Sequence, residues 1–270
     1  MAAAVDSKTT YLDRPRPLYF IGDSHTLAFS DRLYLHGGTE RKLFIGRSGY
    51  INGLHARDVF AGGALHRPFL AMLAATGLVV GEGGTFEAYH RSRRTHWQRV
   101  ADAEGRERSD PCIVLSCGTL DLVRILGEFQ SELHGAGSAA VAARTIEDTF
   151  APLASGLQAL TALGFGRLAV LSVVPFARSD DLFSEYFLVR ADATVRENVV
   201  ALANEVLARL CGQYRVAFVD RSPDLCDGST QRSDAFPDGI HIGPQAATAT
   251  VHRVIAALGS GEQLSEPLDR

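Results

Sequence analysis

The sequence predicts an α/β fold, a three-layer α/β/α sandwich built on a parallel sheet of about five strands. Three observations carry that expectation. Short apolar runs alternate with segments of helical period. No hairpin signal joins one run to the next. Candidate chemistry-bearing residues follow the runs directly, where the carboxyl ends of parallel strands would gather.

Taken in order, Leu18 to Ile21 form an apolar run that stops at Gly22-Asp23, a buried strand meeting a sharp turn. From Ser24 the pattern turns helical, with Leu27, Phe29, Leu33 and Leu35 on one broad side and Asp31 and Arg32 outward. A turn at His36-Gly37-Gly38 leads to a short second strand, Lys42 to Ile45, which ends in a loop carrying Gly46, Gly49 and Gly53. Residues 54–110 read as an insertion with a short helix near its start and a later basic cluster of His90, Arg91, Arg93, Arg94, His96 and Arg99. Arginine clusters suit phosphate, but Glu87, Asp102 and Glu104 nearby favour a solvated helix face, with Trp97 as a packing residue. Ile113 to Leu115 form the third strand, ending at Gly118.

Ile146, Phe150, Leu153, Leu157 and Leu160 then recur at helical spacing, and Pro152 is expected to kink or split that helix. The fourth strand, "RLAVLSVVPF", ends at Pro175. Val195, Val199, Leu202, Val206 and Leu210 mark a long amphipathic helix, and "VAFVD" is the fifth strand. Gly243-Pro244 opens a last helix with Ala247, Val251, Val254 and Leu258 inward. No linker or repeat interrupts this order. The expectation is one domain with a core over about 17–258 and loose tails at both ends.

Composition narrows the partners. A net charge of -4 over 270 residues offers no global attraction for nucleic acid or an anionic membrane. No apolar run reaches membrane-spanning length, and the N-terminus lacks a basic start followed by an apolar core, so a cytoplasmic chain is expected. Cys112, Cys117, Cys211 and Cys226 lack metal-ligand spacing and read as buried thiols. Neither a metal nor another cofactor is called for.

Ser24 sits between a strand and a helix start, where a hydroxyl is exposed at the sheet edge beside unpaired backbone N–H groups. The same residue could simply cap the helix. Near the other end, "FPDGIHIGPQA" places Asp238 and His241 three residues apart. A serine nucleophile needs a base, and the base needs an acceptor that fixes its tautomer, so Ser24, His241 and Asp238 together could supply a triad.

Together the Gly22-Asp23-Ser24 block and the Asp238-to-His241 block resemble those of SGNH (GDSL-like) hydrolases, across most of the chain. The resemblance implies a flavodoxin-like sandwich and an esterase or acyltransferase acting on a small-molecule or glycan ester, with Ser24, Asp238 and His241 catalytic. It also implies oxyanion or binding roles for Gly49, with Gly46 and Gly53 as rivals, and for the Gly118-Thr119-Leu120-Asp121 block. There the family carries an Asn where this chain has Leu120, which cannot donate a hydrogen bond. Thr119, His25, Asn52 and Arg124 are the candidate replacements, and an anchoring role between neighbouring loops suits Asp121 equally well. Two rivals stand beside this reading: a binding module that kept the fold without catalysis, and a metal-dependent hydrolase built on Asp23, His25 and His241.

Overall fold

A computed structural model of the chain describes residues 16–29, 33–36, 42–50, 55–61, 64–65, 112–128, 138–162, 165–177, 179–228 and 230–259. Its main sheet is made of β1 (Arg16–Gly22), β2 (Leu33–His36), β3 (Lys42–Tyr50), β4 (Cys112–Ser116), β5 (Arg167–Leu171) and β6 (Ala217–Val219). The strand order is β2-β3-β1-β4-β5-β6. Every neighbouring pair is parallel except β2 with β3, so five parallel strands carry one antiparallel outer strand.

Strand alternation divides the core between the two faces of this sheet. Ile113 and Leu115 of β4, with Leu168 and Val170 of β5, point into one cluster. That cluster is covered by α1 (Thr119–Glu128), α2 (Ser138–Ala162) and α4 (Ala193–Gln213). Cys112 and Val114, with Ala169 and Leu171, point the other way, against Ala247, Val251 and Val254 of α5 (Pro244–Gly259). The short helix α3 (Asp180–Phe187) packs Phe183 into the first cluster. Two faces covered by helices explain why these strands read as continuous apolar runs.

Several expectations change. The stretch after Ser24 is not a long helix: a 3₁₀ segment covers Ser24–Phe29, and Leu33 and Leu35 lie on β2. The β-branched and aromatic content that marks most strands is sparse in "LYLH", and pairing with β3 decides its state. This is a hairpin that the sequence did not signal. Leu27 is 51% exposed and faces away from the core, whereas Phe29 stacks on Phe20 with ring centroids 4.0 Å apart. Strand β3 continues through Gly46 and Gly49 to Tyr50, so neither glycine is in a loop.

Helix α2 is one continuous helix with Pro152 inside it. The apolar face that it buries on both sides of Pro152, Ile146, Phe150, Leu153 and Leu157, outweighs the one lost backbone bond. The strand expected to reach Pro175 ends at Leu171, and 172–177 form a buried connection. The inward face of α4 is centred on Val199, Ala203, Val206 and Leu207, with Val195, Leu202 and Leu210 only partly buried along its margin. Helix α5 buries Ala247, Val251, Val254 and Leu258 as the spacing predicts. Asn52, Gly53, the basic cluster with Trp97, the early helix of the insertion and the tails through Pro15 and beyond Gly259 lie outside the described residues.

Candidate active site

The five parallel strands, numbered by their order in the chain, lie side by side as 2-1-3-4-5. In that order the connections leave β1 and β4 in opposite directions, and a crevice opens at their carboxyl ends. Ser24 follows β1 and Thr119 follows β4, so both stand at this crevice.

The turn after β1 is built by glycine and aspartate. Gly22 runs so close to the Ser116 backbone that a Cβ there would collide with the Ser116 carbonyl. The Asp23 N–H donates to that carbonyl at 3.0 Å. The buried Asp23 carboxylate accepts from His25 N–H at 3.2 Å and from the Ser116 hydroxyl at 3.4 Å, and its backbone carbonyl accepts from Thr26 N–H at 3.1 Å. These bonds use the amides of His25 and Thr26 and leave Ser24 N–H without an acceptor among the described residues. Ser24 itself is half-buried.

Asp238 and His241 form a closed loop before α5. Asp238 Oδ1 accepts from Ile240 N–H at 2.8 Å and His241 N–H at 2.6 Å, and Oδ2 lies 2.8 Å from His241 Nδ1. Desolvation would raise the Asp238 pKa, but the hydrogen bonds from the His241 backbone and ring and from Ile240 prevail and lower it to about 2. The His241 ring centroid lies 5.7 Å from that of His25, at 52°, which brings the loop to the turn that holds Ser24. Among the described residues no hydrogen bond joins the Ser24 hydroxyl to His241.

The residues named for the oxyanion fall in different places. Gly118 has φ +113°, and a Cβ there would meet Phe150 Cζ at 2.8 Å and Val173 Cγ2 at 2.9 Å, so only glycine fits. Its carbonyl accepts from Leu122 N–H at 2.9 Å and starts α1. Thr119 is buried and Leu120 half-buried in the first turn of that helix. Gly49 is level with Ile21, one residue before the end of β3. Asp121 is buried and engaged with the 55–56 segment: Oδ1 lies 3.1 Å from His55 Nδ1, and Oδ2 accepts from Ala56 N–H at 2.7 Å. Arg124 is removed from the oxyanion candidates, because its guanidinium donates to Glu128 at 2.6 Å and to Thr149 at 3.3 Å along α1 and α2.

The sequence pattern singles out neither Tyr186 nor Arg221. Tyr186 of α3 is half-exposed and places its ring 6.0 Å from that of His241, at 80°. Only tertiary packing brings it there. Arg221 follows β6 and is fully buried, with its N–H on the Ser172 hydroxyl at 2.9 Å and its guanidinium on the Ser172 carbonyl. Burial lowers its pKa to about 10, opposed by Asp23. Its place just past a strand end was the available signal. Burial pushes the Cys211 thiol up to about 12 and Cys226 to about 11, which makes poor nucleophiles of both.

A cavity of about 210 Å³ lies beside the site and contains none of its three candidate catalytic residues. Val173, Phe176, Arg196, Asn204 and Gln231 line it. Gln231 connects the two regions by donating to the Gly239 carbonyl at 3.1 Å. Among the described residues no group of three or more His, Cys, Asp or Glu side chains is placed to hold a metal ion. No described helix is long and apolar enough to cross a membrane.

No family model matches this chain, and no curated protein matches it. Solved structures similar to it include a GDSL-like lipase from Bacteroides thetaiotaomicron, at 14% identity and TM-score 0.43, covering 92% of this chain and 89% of that one. An extracellular lipase from Streptomyces rimosus is 16% identical with TM-score 0.46, covering 90% of this chain and 99% of that one. A carbohydrate acetylesterase from Sinorhizobium meliloti is 12% identical with TM-score 0.39, covering 91% and 99%.

Proposed function

We propose that this chain is a serine-dependent ester hydrolase or acyltransferase of SGNH type, with Ser24 as nucleophile, His241 as general base and Asp238 as its orienter. The observation that carries this reading is the 2.8 Å contact between Asp238 and His241 Nδ1, on a loop whose imidazole packs against the residue next to Ser24. With Nδ1–H donated to Asp238, the other ring nitrogen is left as the acceptor for the Ser24 proton. Ser24 Oγ attacks the acyl carbon, His241 takes the proton, and the carbonyl oxygen becomes an oxyanion. The C–O bond to the alcohol then breaks, His241 returns the proton to the leaving oxygen, and an acyl ester remains on Ser24. Water or a second hydroxyl repeats the sequence in reverse, giving hydrolysis or acyl transfer. A small-molecule or glycan ester suits a site of this kind, and the reaction requires no cofactor.

For the oxyanion, Ser24 N–H is supported by its lack of an acceptor among the described residues, and the first turn of α1 supplies further N–H groups without intrahelical partners. Gly49 is retained from the family resemblance. Apo sites often show long catalytic contacts that close in the complex, so the open Ser24–His241 pair is compatible with catalysis. The same open pair, with Leu120 in place of a donor, favours a second reading, a binding module that keeps the fold. An active-serine phosphonate with intact-mass detection separates the two: a single adduct is expected on the parent protein and none on Ser24→Ala. A folded parent protein that stays unlabelled while hydrolysing none of a panel of short and long acyl esters would reject the esterase.

A further inference from the structure

His241 is gripped on more sides than a base needs for its tautomer. Asp238 holds Nδ1, and two rings, those of His25 and Tyr186, lie against the imidazole. His25 belongs to the nucleophile turn and is 3% exposed, whereas Tyr186 belongs to α3 and is 51% exposed. His25 Nδ1 is sealed from solvent and makes no hydrogen bond among the described residues, so its ring serves the site by shape and not through that nitrogen. On α3, Leu182 and Tyr186 are one turn apart and share a face. Leu182 fills the space where a Cβ on Gly239 would lie, so this face of α3 rests on the Asp238–His241 loop.

We propose that His25 and Tyr186 are positioning residues that grip the His241 ring from the core side and the solvent side and fix where its free nitrogen points. The proposal rests on the reading of His241 as the base for Ser24. A carboxylate bonded to one nitrogen leaves the ring free to swing about that bond, and flanking rings remove the freedom. The charged and titratable groups that act on His25 are Asp23, Arg221, His241 and Asp238. Burial, the largest of these influences, lowers the His25 pKa to about 4, and Arg221 and His241 add to the effect against Asp23 and Asp238. His25 is therefore uncharged at neutral pH and does not repel the imidazolium that His241 becomes when it takes a proton.

The test compares His25→Ala and Tyr186→Ala with the ring-retaining His25→Phe and Tyr186→Phe, by kinetics on one accepted ester and by NMR of the His241 imidazole nitrogens, assigned through His241→Gln. Each alanine variant is expected to lower kcat about 10- to 100-fold with KM changed less than about threefold. Phenylalanine should restore kcat to within about threefold of the parent. The alanine variants should also broaden or average the two His241 nitrogen signals. Unchanged kcat and unchanged signals in the alanine variants overturn the proposal, as do phenylalanine variants as impaired as alanine, because a polar atom and not a ring would then be needed. If His25→Ala fails to fold, the half-exposed Tyr186 still decides. If the parent turns over no ester, the function reading fails by itself, and the His241 signals still judge the grip.

Discussion

At residue scale, the positions that shape the site are those where one atom too many cannot be accommodated. Gly118 combines a positive φ with Phe150 and Val173 closing over the place of a Cβ. Gly118→Ala is expected to cost about 2–4 kcal/mol, backbone strain and overpacking together, because both ring and isopropyl group belong to a packed core. Urea unfolding measures this, and a loss below about 0.5 kcal/mol would show that α2 yields easily at that point. The sequence marked Gly22, Asp23, Ser24, Asp238 and His241 by spacing and turn chemistry, and the Asp238–His241 contact follows from local geometry within four residues. Tyr186 and His55 were not legible because their contacts cross the fold, whereas Arg221 had its place past a strand end as a signal. His55 meets Asp121 across 66 positions, a distance that no local pattern encodes.

At the scale of elements, α3 matters most for the site, and beside the packing of Leu182 and Phe183 one buried arginine fastens both its ends. Arg196, buried in α4, donates to Asp180 at the start of α3 at 2.7 Å, to the Ala177 carbonyl before it at 2.9 Å, and to the Ala191 carbonyl after it. Its guanidinium also lies 4.6 Å from the centre of the Phe183 ring. Arg196→Met keeps the bulk and removes these donors. We expect a local destabilisation of about 2–3 kcal/mol, since hydrogen bonds from a charged donor are among the stronger kind. Hydrogen exchange should quicken in α3 and its flanks while α2 keeps its protection; uniform loss over both would contradict a local fastening. The sequence placed α4 but assigned Arg196 no role, because an arginine at helical spacing ordinarily points to water. The failure at Leu33–His36 is related: Phe29 and Leu33 stand at the i, i+4 spacing of a helix face, Leu33 and Leu35 at the i, i+2 spacing of a strand, and pairing with β3 settles the second.

At the scale of the whole molecule, burial of an ionisable ring ties stability to pH. In the unfolded chain His25 takes a proton below about 6.5, whereas in the folded chain it does so only near 4. Between those values the unfolded state binds more protons, so folding stability falls as pH falls through this window and is intact above it. From pH 7 to about 4.5 the parent should lose about 2–3 kcal/mol more than His25→Phe, which carries no titrating ring there. Urea midpoints at both pH values measure the difference, and equal losses would mean that His25 is protonated in the folded protein. The layered architecture was legible from the alternation of apolar runs and helical periods, since burial on both faces leaves that trace in any parallel sheet. The hairpin of β2 and β3 left none, and it has a consequence for association between molecules. One rim of the sheet ends in the four residues Leu33–His36, the other in the three residues Ala217–Val219. Outer strands this short are poor templates for a foreign strand, so along Leu33–His36 and Ala217–Val219 copies of this protein that meet in a crowded solution have little to gain by zipping backbone to backbone.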